Sequence, residues 1–305
     1  MKFLRCPAAF VAACLAANTL LAAVPVEMKI RWPAGKRLVR HVETTQDVKV
    51  SGESLPAPLE QNSLQARDYS LTVTGPREIE LEIRGLKISN TSQGKTMVFD
   101  SRTAPKQGED GFFPLLRRVV GARARCLIGE DGRIEQVADY PEWIGRVTAG
   151  APANNTVALT NMFSEENLKQ LGATPSGLPA QPVKIGEHWT TEREQRLAGG
   201  VTLVTKLRYT FTGMADRDGR KCAVWEHSGT ITSKPAPAGS ARTTKVESSK
   251  VTGKTWFDPG LGVVVEGTVT QEMTLVSTGP EGSVTNEFRT KITNRLVELA
   301  DAPKP

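Results

Sequence analysis

The chain is poor in the residues on which most metal and redox sites depend. Its 305 residues include only three histidines, His41, His188 and His227, and four cysteines. Neither His-Glu-x-x-His nor His-x-His occurs, and no Cys-x-x-Cys pair is present. Because these motifs supply the common zinc and dithiol sites, the sequence predicts no metal and no cofactor.

Motifs for nucleophilic catalysis and phosphate binding are missing as well. The sequence contains no Gly-x-Ser-x-Gly turn and no glycine-rich loop that ends in Gly-Lys-Ser/Thr. His227 and Ser228 are adjacent on a predicted strand, where neighbouring side chains point to opposite faces, so they cannot form a nucleophile–base pair. We therefore expect no catalytic residues. The alternative is a hydrolase acting on cell-envelope material, assembled from residues distant in sequence.

Clusters of basic residues and long apolar runs are scarce beyond the first segment. The formal net charge is +6 at pH 7, and the basic residues are spread along the chain, most densely at Arg117, Arg118, Arg123 and Arg125. A spread of this kind favours a solvated surface and argues against nucleic acid as a partner. No later stretch is long and apolar enough to predict a membrane span.

The first 23 residues form the one long apolar segment. A basic start, Met1–Arg5, precedes the uncharged run Cys6–Ala23, which ends in two small residues. This pattern predicts a secretory signal peptide and hence a periplasmic or secreted protein. The sequence Val-Ala-Ala-Cys ending at Cys14 also fits a lipoprotein processing site, so a lipid anchor at Cys14 is the alternative.

Two cysteines, Cys126 and Cys222, remain after the predicted cleavage. An even pair in an oxidising compartment is a candidate disulfide. The alternative is two buried thiols that pack as small apolar groups. Spacing does not decide between these alternatives, because both residues lie in predicted strands whose pairing is not visible in the sequence.

Alternation of apolar and polar residues with a period of two dominates the rest of the chain. The clearest runs are residues 42–50, 77–84, 201–212 and 265–275. One apolar and one polar face per strand is typical of antiparallel sheets. Strands longer than ten residues must also twist. The prediction is therefore a mainly β fold, with a long curved antiparallel sheet or an open barrel.

Turn residues punctuate these strands. Gly, Asp and Pro cluster between alternating runs, which predicts hairpins at residues 129–132, 216–219, 258–260 and 279–282.

Helical signals are confined to the middle of the chain. A short helix is predicted over 139–147, with Pro141 in its first turn, and a second over 156–171. Trp143, Ile144 and Val147 form the apolar face of the first helix. On a helix lying over a sheet, these three side chains are candidates for a lid above a ligand.

The predicted domain organisation follows from this order. Residues 24–298 form a single large β-rich domain, or two lobes over 24–150 and 183–298 joined by the helical and proline-rich connector 151–182. Residues 299–305 are predicted to be a disordered tail.

Three phrases in a fixed order carry a family resemblance. They are Cys126–Val137 with its Asp-Gly-Arg turn, Met162-Phe163, and the Leu-Pro-x-x-Pro-Val-x-x-Gly-x-x-Trp run at 178–189. In this order they resemble an exported bacterial family known only as a domain of unknown function. That family is similar in architecture to periplasmic lipoprotein carriers of the LolA and LolB type. The resemblance implies an incomplete barrel with helices across its mouth that holds acyl chains, and it brings no catalytic residues.

These expectations converge on a non-catalytic envelope protein. It would bind an apolar ligand, such as an acyl chain or a lipoprotein, on its curved sheet, or act as an interaction scaffold. A structural module of a secreted assembly is a further alternative. The expected partners are lipid or another envelope protein, and neither nucleic acid nor a membrane span is expected after signal cleavage.

Overall fold

The computed structural model describes residues 24–53, 55–105, 111–172, 177–196, 201–234 and 242–302. The predicted signal peptide, with Cys14, lies outside the described residues. The described part is mainly β, as predicted from the sequence. It forms one antiparallel open sheet of twelve strands, accompanied by four short helices.

Most of the strands are long. Their bounds are β1 Lys36–Gly52, β2 Leu59–Gly75, β3 Glu78–Ser92, β4 Lys95–Asp100, β5 Arg123–Ile128, β6 Ile134–Val137, β7 His188–Arg196, β8 Thr202–Arg217, β9 Arg220–Ser233, β10 Thr243–Asp258, β11 Val263–Gly279 and β12 Gly282–Asp301. The helices are α1 Phe113–Val119, α2 Tyr140–Thr148, α3 Ala153–Met162 and α4 Glu165–Gly172.

The strand order joins the two halves of the chain in the middle of the sheet. It runs β6-β5-β3-β2-β1-β12-β11-β10-β9-β8-β7, and β4 pairs with β3. The first and last long strands, β1 and β12, are paired along nearly their whole length, from Lys36 beside Asp301 to Gly52 beside Val284. Both predicted lobes therefore contribute strands to one continuous sheet. Strand β12 also continues to Asp301, into the segment predicted as a tail, and residues 303–305 are not described.

The four hairpins predicted from turn residues are confirmed. They join β5 to β6, β8 to β9, β10 to β11 and β11 to β12. Gly132, Gly219 and Gly282 have φ values of 81°, 72° and 101°. These left-handed conformations favour glycine, which explains why glycine stands at these turns.

The two faces of the sheet differ sharply in chemistry. Residues paired across strands share a face. We call the face that bears Leu71, Leu81 and Trp225 the inner face, and the opposite one, which bears Glu80 and Glu226, the outer face. The inner face is the less exposed of the two along most strands, as the alternation in the sequence predicts.

Four β-bulges lie at about the same height along their strands, and we call this height the level of the bulges. The extra residues are Arg84 in β3, Val297 in β12, Val265 in β11 and Thr212 in β8. A bulge bends its strand and increases the local twist. In β1, β2 and β12, this level separates a part of the inner face that is covered from a part that is open. In β3, Leu86 and Ile88 beyond the bulge remain in the covered core.

The covered part packs against the helices. Inner-face residues of β1 to β6 form one buried cluster with apolar residues of all four helices, including Leu116, Trp143, Leu159 and Leu168. The residues of this cluster are at most 8% exposed. Burial of this apolar surface is what holds the short helices, because isolated helices of seven to ten residues are unstable in water.

A second cover is formed by two extended segments, residues 24–35 and 177–187. They meet at a bridge between Val26 and Val183. Met28 and Val183 pack against inner-face aromatic residues that include Phe211 and Trp225. In the first segment, the Trp32 indole N–H also donates a hydrogen bond to the Gly132 carbonyl oxygen at 2.8 Å. This segment thus connects the two halves of the covered core.

The helices differ from the predictions in detail. Helix α2 agrees with the prediction to within one residue. The predicted helix over 156–171 is divided into α3 and α4, because Phe163 leaves the helix and packs into the core. Ser164 then caps α4 by accepting a hydrogen bond from the Asn167 backbone N–H at 3.2 Å. Helix α1 was not predicted, although Pro114 stands in its first turn.

Candidate functional site

The inner face of the six central strands forms a broad surface beyond the bulges, which we call the open floor. It consists of Asn90, Ser63, Gln65, Arg67, Val42, Thr44, Gln46, Val48, Phe288, Thr290, Ile292, Asn294, Gly267, Val269, Gln271, Met273, Ser249, Val251, Gly253 and Thr255. Six strands about 4.8 Å apart span roughly 24 Å, and six residues along a strand rise about 20 Å. The floor is thus large enough for an extended ligand.

The open floor combines partial burial with a nearly complete lack of charge. Every one of its residues is buried or half-buried, whereas the outer-face residues Asp47, Lys49, Arg289 and Lys291 of the same strands are exposed. It has no carboxylate, and its polar members are amides and hydroxyls, with one permanent charge at Arg67. Such a surface suits a ligand that is mostly apolar.

The far side of the floor is its most apolar region. Leu203, Ile231, Val251, Met273 and Leu275 form a buried cluster whose members all belong to strands. Phe288 and Val269 pack against this cluster from the floor. An apolar surface that is buried by neighbouring strands, with no helix residue among its buried members, indicates that the sheet curls around it.

An aromatic group closes the floor towards β7. Trp189 stacks on Tyr209 at 5.5 Å between ring centroids and meets the edge of Trp225 at 6.2 Å. Tyr209 in turn lies 5.2 Å from the ring of His227. Burial lowers the pKa of His227, so that its ring is held neutral. His227 therefore behaves as a packed core residue rather than as a base, and Ser228 faces the opposite side, as predicted.

Two arginines lie where the floor meets the helices, a place we call the lid margin. The Arg40 Nε donates to Asn294 Oδ1 at 3.2 Å, and its guanidinium also donates to the Val264 carbonyl oxygen at 3.0 Å. The Arg67 guanidinium donates to Gln65 Oε1 at 2.9 Å and lies 5.8 Å from the centre of the Phe163 ring. Burial lowers the pKa of both arginines.

Tyr69 fixes the helices at this margin. It pairs with Arg40 across the strands, and its hydroxyl donates a short hydrogen bond to the carbonyl oxygen of Leu171 at the end of α4. Burial raises the pKa of Tyr69, so the hydroxyl remains a donor. Next to Arg40 is a cleft of about 20 Å³, which has room for about one water molecule.

The predicted lid residues lie in the covered core. Trp143 and Val147 are buried, and the half-buried Ile144 packs against the same cluster. The Trp143 ring lies 6.2 Å from Phe163 and 6.4 Å from Tyr140. The predicted lid residues therefore contact the lid margin only indirectly, through Phe163. Sequence reasoning did not single out Arg40 or Arg67, and it noted Phe163 only as part of the Met162-Phe163 phrase.

The remaining histidines do not extend this site. On the outer face, His41 Nδ1 lies 2.7 Å from Asp68 Oδ1, and Arg102 contacts the other oxygen of the same carboxylate. His188 is exposed at the start of β7. Within the ranges described, no group of His, Cys, Asp and Glu side chains could hold a metal ion. No helix in those ranges is long and apolar enough to cross a membrane.

Larger grooves occur on the outer face, and their chemistry differs. One of about 520 Å³ is lined mainly by charged and polar side chains, among them Asp47, Lys49, Glu272 and Arg289. Several of these groups are paired, as in the ion pair between Arg289 and Glu272 at 3.3 Å. An apolar ligand there would strip water from charges, which is costly. The outer groove is thus a weaker candidate for an apolar ligand than the open floor.

The candidate disulfide between Cys126 and Cys222 is not formed, and both residues are free and buried. Six strands separate β5 from β9, which corresponds to about 34 Å along the sheet. Cys126 also faces inward, beside Ile79, while Cys222 faces outward. A disulfide needs Cα atoms within about 7 Å, so the alternative of two buried thiols is the one the structure bears out.

We expect both thiols to be unreactive in the folded chain. Burial raises the pKa of Cys126 to about 12 and that of Cys222 to about 11, which suppresses the reactive thiolate. Peptide mapping after alkylation at neutral pH should leave both residues unlabelled in the native protein. Unfolding without reductant should label both. A requirement for reductant would contradict the free-thiol assignment.

The fold and its inner face together define a class: an open antiparallel sheet with one partly covered face that carries few charges. The model of the DUF6263 family, a family of unknown function, matches residues 75–258, and the chain belongs to this family. No curated protein matches it.

The solved structures that match the chain include lipovitellin, from a study of its lipid–protein interactions. It is 11% identical with a TM-score of 0.48, and the match covers 90% of this chain and 26% of that one. The chain thus spans about a quarter of the lipovitellin chain. OccK2 (OpdF) of Pseudomonas aeruginosa is 7% identical, with 86% and 98% coverage and a TM-score of 0.22. A Rhodopseudomonas blastica porin is 8% identical, with 84% and 99% coverage and a TM-score of 0.22.

Proposed function

We propose that this chain is a non-catalytic protein of the cell envelope that carries an apolar or amphiphilic ligand on its open floor. The observation that carries the proposal is the contrast between the two faces. The central strands place almost all of their charged side chains outward and keep a half-buried surface inward, on which Arg40 and Arg67 are the charged residues. A surface of this kind gains free energy when it buries the apolar part of a ligand, at about 25 cal/mol per Å².

The position of the helices supports the same function. Over β1, β2 and β12 they cover the inner face only up to the lid margin, where Phe163 and Leu171 contact the sheet. Over β3 and β4 the cover continues further, with the Phe113 ring of α1 5.4 Å from Phe99. A carrier needs one region of its sheet that anchors the covering helices and another region that accepts the ligand. The β-bulges lie between two such regions.

A charge placed on the floor should weaken binding of an apolar ligand. Thr290 lies in the centre of the floor, between Gln46 and Gln271. In the variant Thr290→Glu, an acyl chain would have to desolvate a carboxylate, which costs more than its burial contributes. We expect affinity for a fluorescent fatty-acyl probe, measured by titration, to fall at least about tenfold, or about 1.4 kcal/mol.

Thr270→Glu is the matched control. Thr270 lies on the outer face, beside Lys291, so the new carboxylate remains hydrated and gains an opposite charge. Its probe affinity should equal that of the unchanged protein. Mass spectrometry of extracts should also find lipid co-purified with the native protein. No lipid in those extracts, together with no probe binding, would overturn the carrier function and favour an interaction scaffold.

A further inference from the structure

We propose that the ligand of the open floor carries an anionic headgroup and that Arg67 binds this headgroup at the lid margin. The ligand class is a single-chain amphiphile with a carboxylate or phosphate head. This inference rests on the proposed carrier function and specifies its ligand.

The Arg67 guanidinium is only partly satisfied by the protein. Its one hydrogen bond to a side chain goes to the neutral amide of Gln65, and its contact with Phe163 is with the face of an aromatic ring. The Nε is buried and has no hydrogen-bond partner. A guanidinium has five N–H donors in a rigid fork that matches carboxylate and phosphate oxygens. Arg67 therefore has donors to offer to an anion.

Among the described residues, no carboxylate pairs with Arg67 or with the neighbouring Arg40. Arg40 lies diagonally across the β1–β2 pair, at roughly 7–8 Å for such a position. Its partners, Asn294, the Val264 carbonyl oxygen and the Tyr69 side chain, are neutral. The open floor itself has no carboxylate. Two desolvated guanidiniums next to each other repel. A bound anion would relieve this repulsion, whereas a neutral ligand would not.

The position of Arg67 also fits the geometry of an amphiphile. It stands at the edge of the floor that touches the helices. From there the floor extends along the strands for about 20 Å, past Ile292, to Phe288 and Met273 at the apolar far side. A headgroup on Arg67 would place an acyl chain along this direction, with its tail at the least polar part of the floor.

The test compares three probes that share a sixteen-carbon chain: hexadecanoate, hexadecyl phosphate and hexadecanol. The unchanged full chain should bind the two anions at least about tenfold more tightly than the alcohol, because a charge-assisted pair forms only with the anions. Arg67→Gln should remove this preference and leave hexadecanol binding unchanged. Arg67→Lys should retain part of this preference, because lysine supplies a positive charge but not the planar set of donors that arginine has. Relative affinities of hexadecanoate and hexadecyl phosphate distinguish the two headgroups.

Arg289→Gln is the control, because it removes the same kind of charge from the outer face of the same sheet. It should leave all three affinities unchanged. Equal binding of anion and alcohol by the unchanged protein would overturn the headgroup inference and leave the carrier function standing. Absence of binding by any probe would overturn the carrier function itself. If Arg67→Gln fails to fold, Arg67→Met and the probe comparison on the unchanged protein still decide the question.

Discussion

Replacing Trp225 by alanine is expected to lower the free energy of unfolding by about 3–5 kcal/mol, the usual range for a fully buried tryptophan. Trp225 is 0% exposed and packs between Trp189, at 6.2 Å, and Phe257, at 5.9 Å. Its removal would leave a cavity between the inner face and the extended segments that cover it. Urea unfolding followed by circular dichroism would measure the loss as a lower midpoint with an unchanged slope.

The neighbouring Trp256 is the matched control. It stands on the adjacent strand but faces outward and is half-buried, with Arg217 at 5.2 Å and Lys254 at 5.4 Å from its ring. Such contacts at exposed sites contribute about 0.5–1 kcal/mol, so Trp256→Ala should cost far less than Trp225→Ala. Equal losses would show that the assignment of inner and outer faces in β9 and β10 is wrong.

The parts of this fold that sequence reasoning recovered are local. A hairpin is specified by a turn of a few residues and by the alternation on either side of it, as at Asp216–Gly219 between β8 and β9. Helix α2 is specified by Pro141 and by the spacing of Trp143 and Val147. Each of these signals lies within a window of about ten residues, and tertiary packing agrees with it.

The parts that it did not recover depend on distant residues. The pairing of β1 with β12 joins Lys36 to Asp301, and no local pattern specifies that partner. The bulges at Val297 and Val265 become visible only once the register is known. The same holds for the free thiols, because the separation of Cys126 from Cys222 is set by the strand order.

Within the candidate site, Arg67 shows most clearly what could not be predicted from the sequence. Gln65, Arg67 and Tyr69 share a face, but the run before them carries polar residues on both faces, so alternation does not tell which face is inner. The inner assignment follows from pairing with the apolar faces of β1 and β3. A polar stretch in the middle of a long strand is thus the sequence signal of the open floor, and it resembles an ordinary solvated strand.

Introducing a methyl group at Gly253 is expected to destabilise the sheet where the floor meets the aromatic group. A Cβ built on Gly253 would come within 3.0 Å of the His227 ring and of the Thr268 carbonyl oxygen, distances that real Cβ atoms essentially never show. Overpacking of this kind costs about 1–3 kcal/mol. Gly253→Ala should therefore lower the midpoint of urea unfolding, and it should also displace the His227 ring, which NMR of the imidazole would detect.

Gly267 offers the control, because a Cβ there would meet its nearest neighbour, Thr255 Oγ1, at 3.8 Å, an ordinary contact. Gly267→Ala should be neutral or stabilise by about 0.4–1 kcal/mol, since it restricts the unfolded chain. The double variant Gly253→Ala with His227→Ala separates the two obstacles. Because the Thr268 carbonyl belongs to the backbone, the double variant should remain less stable than His227→Ala alone. Equal stability of these two proteins would mean that only the imidazole ring excludes a side chain at this position.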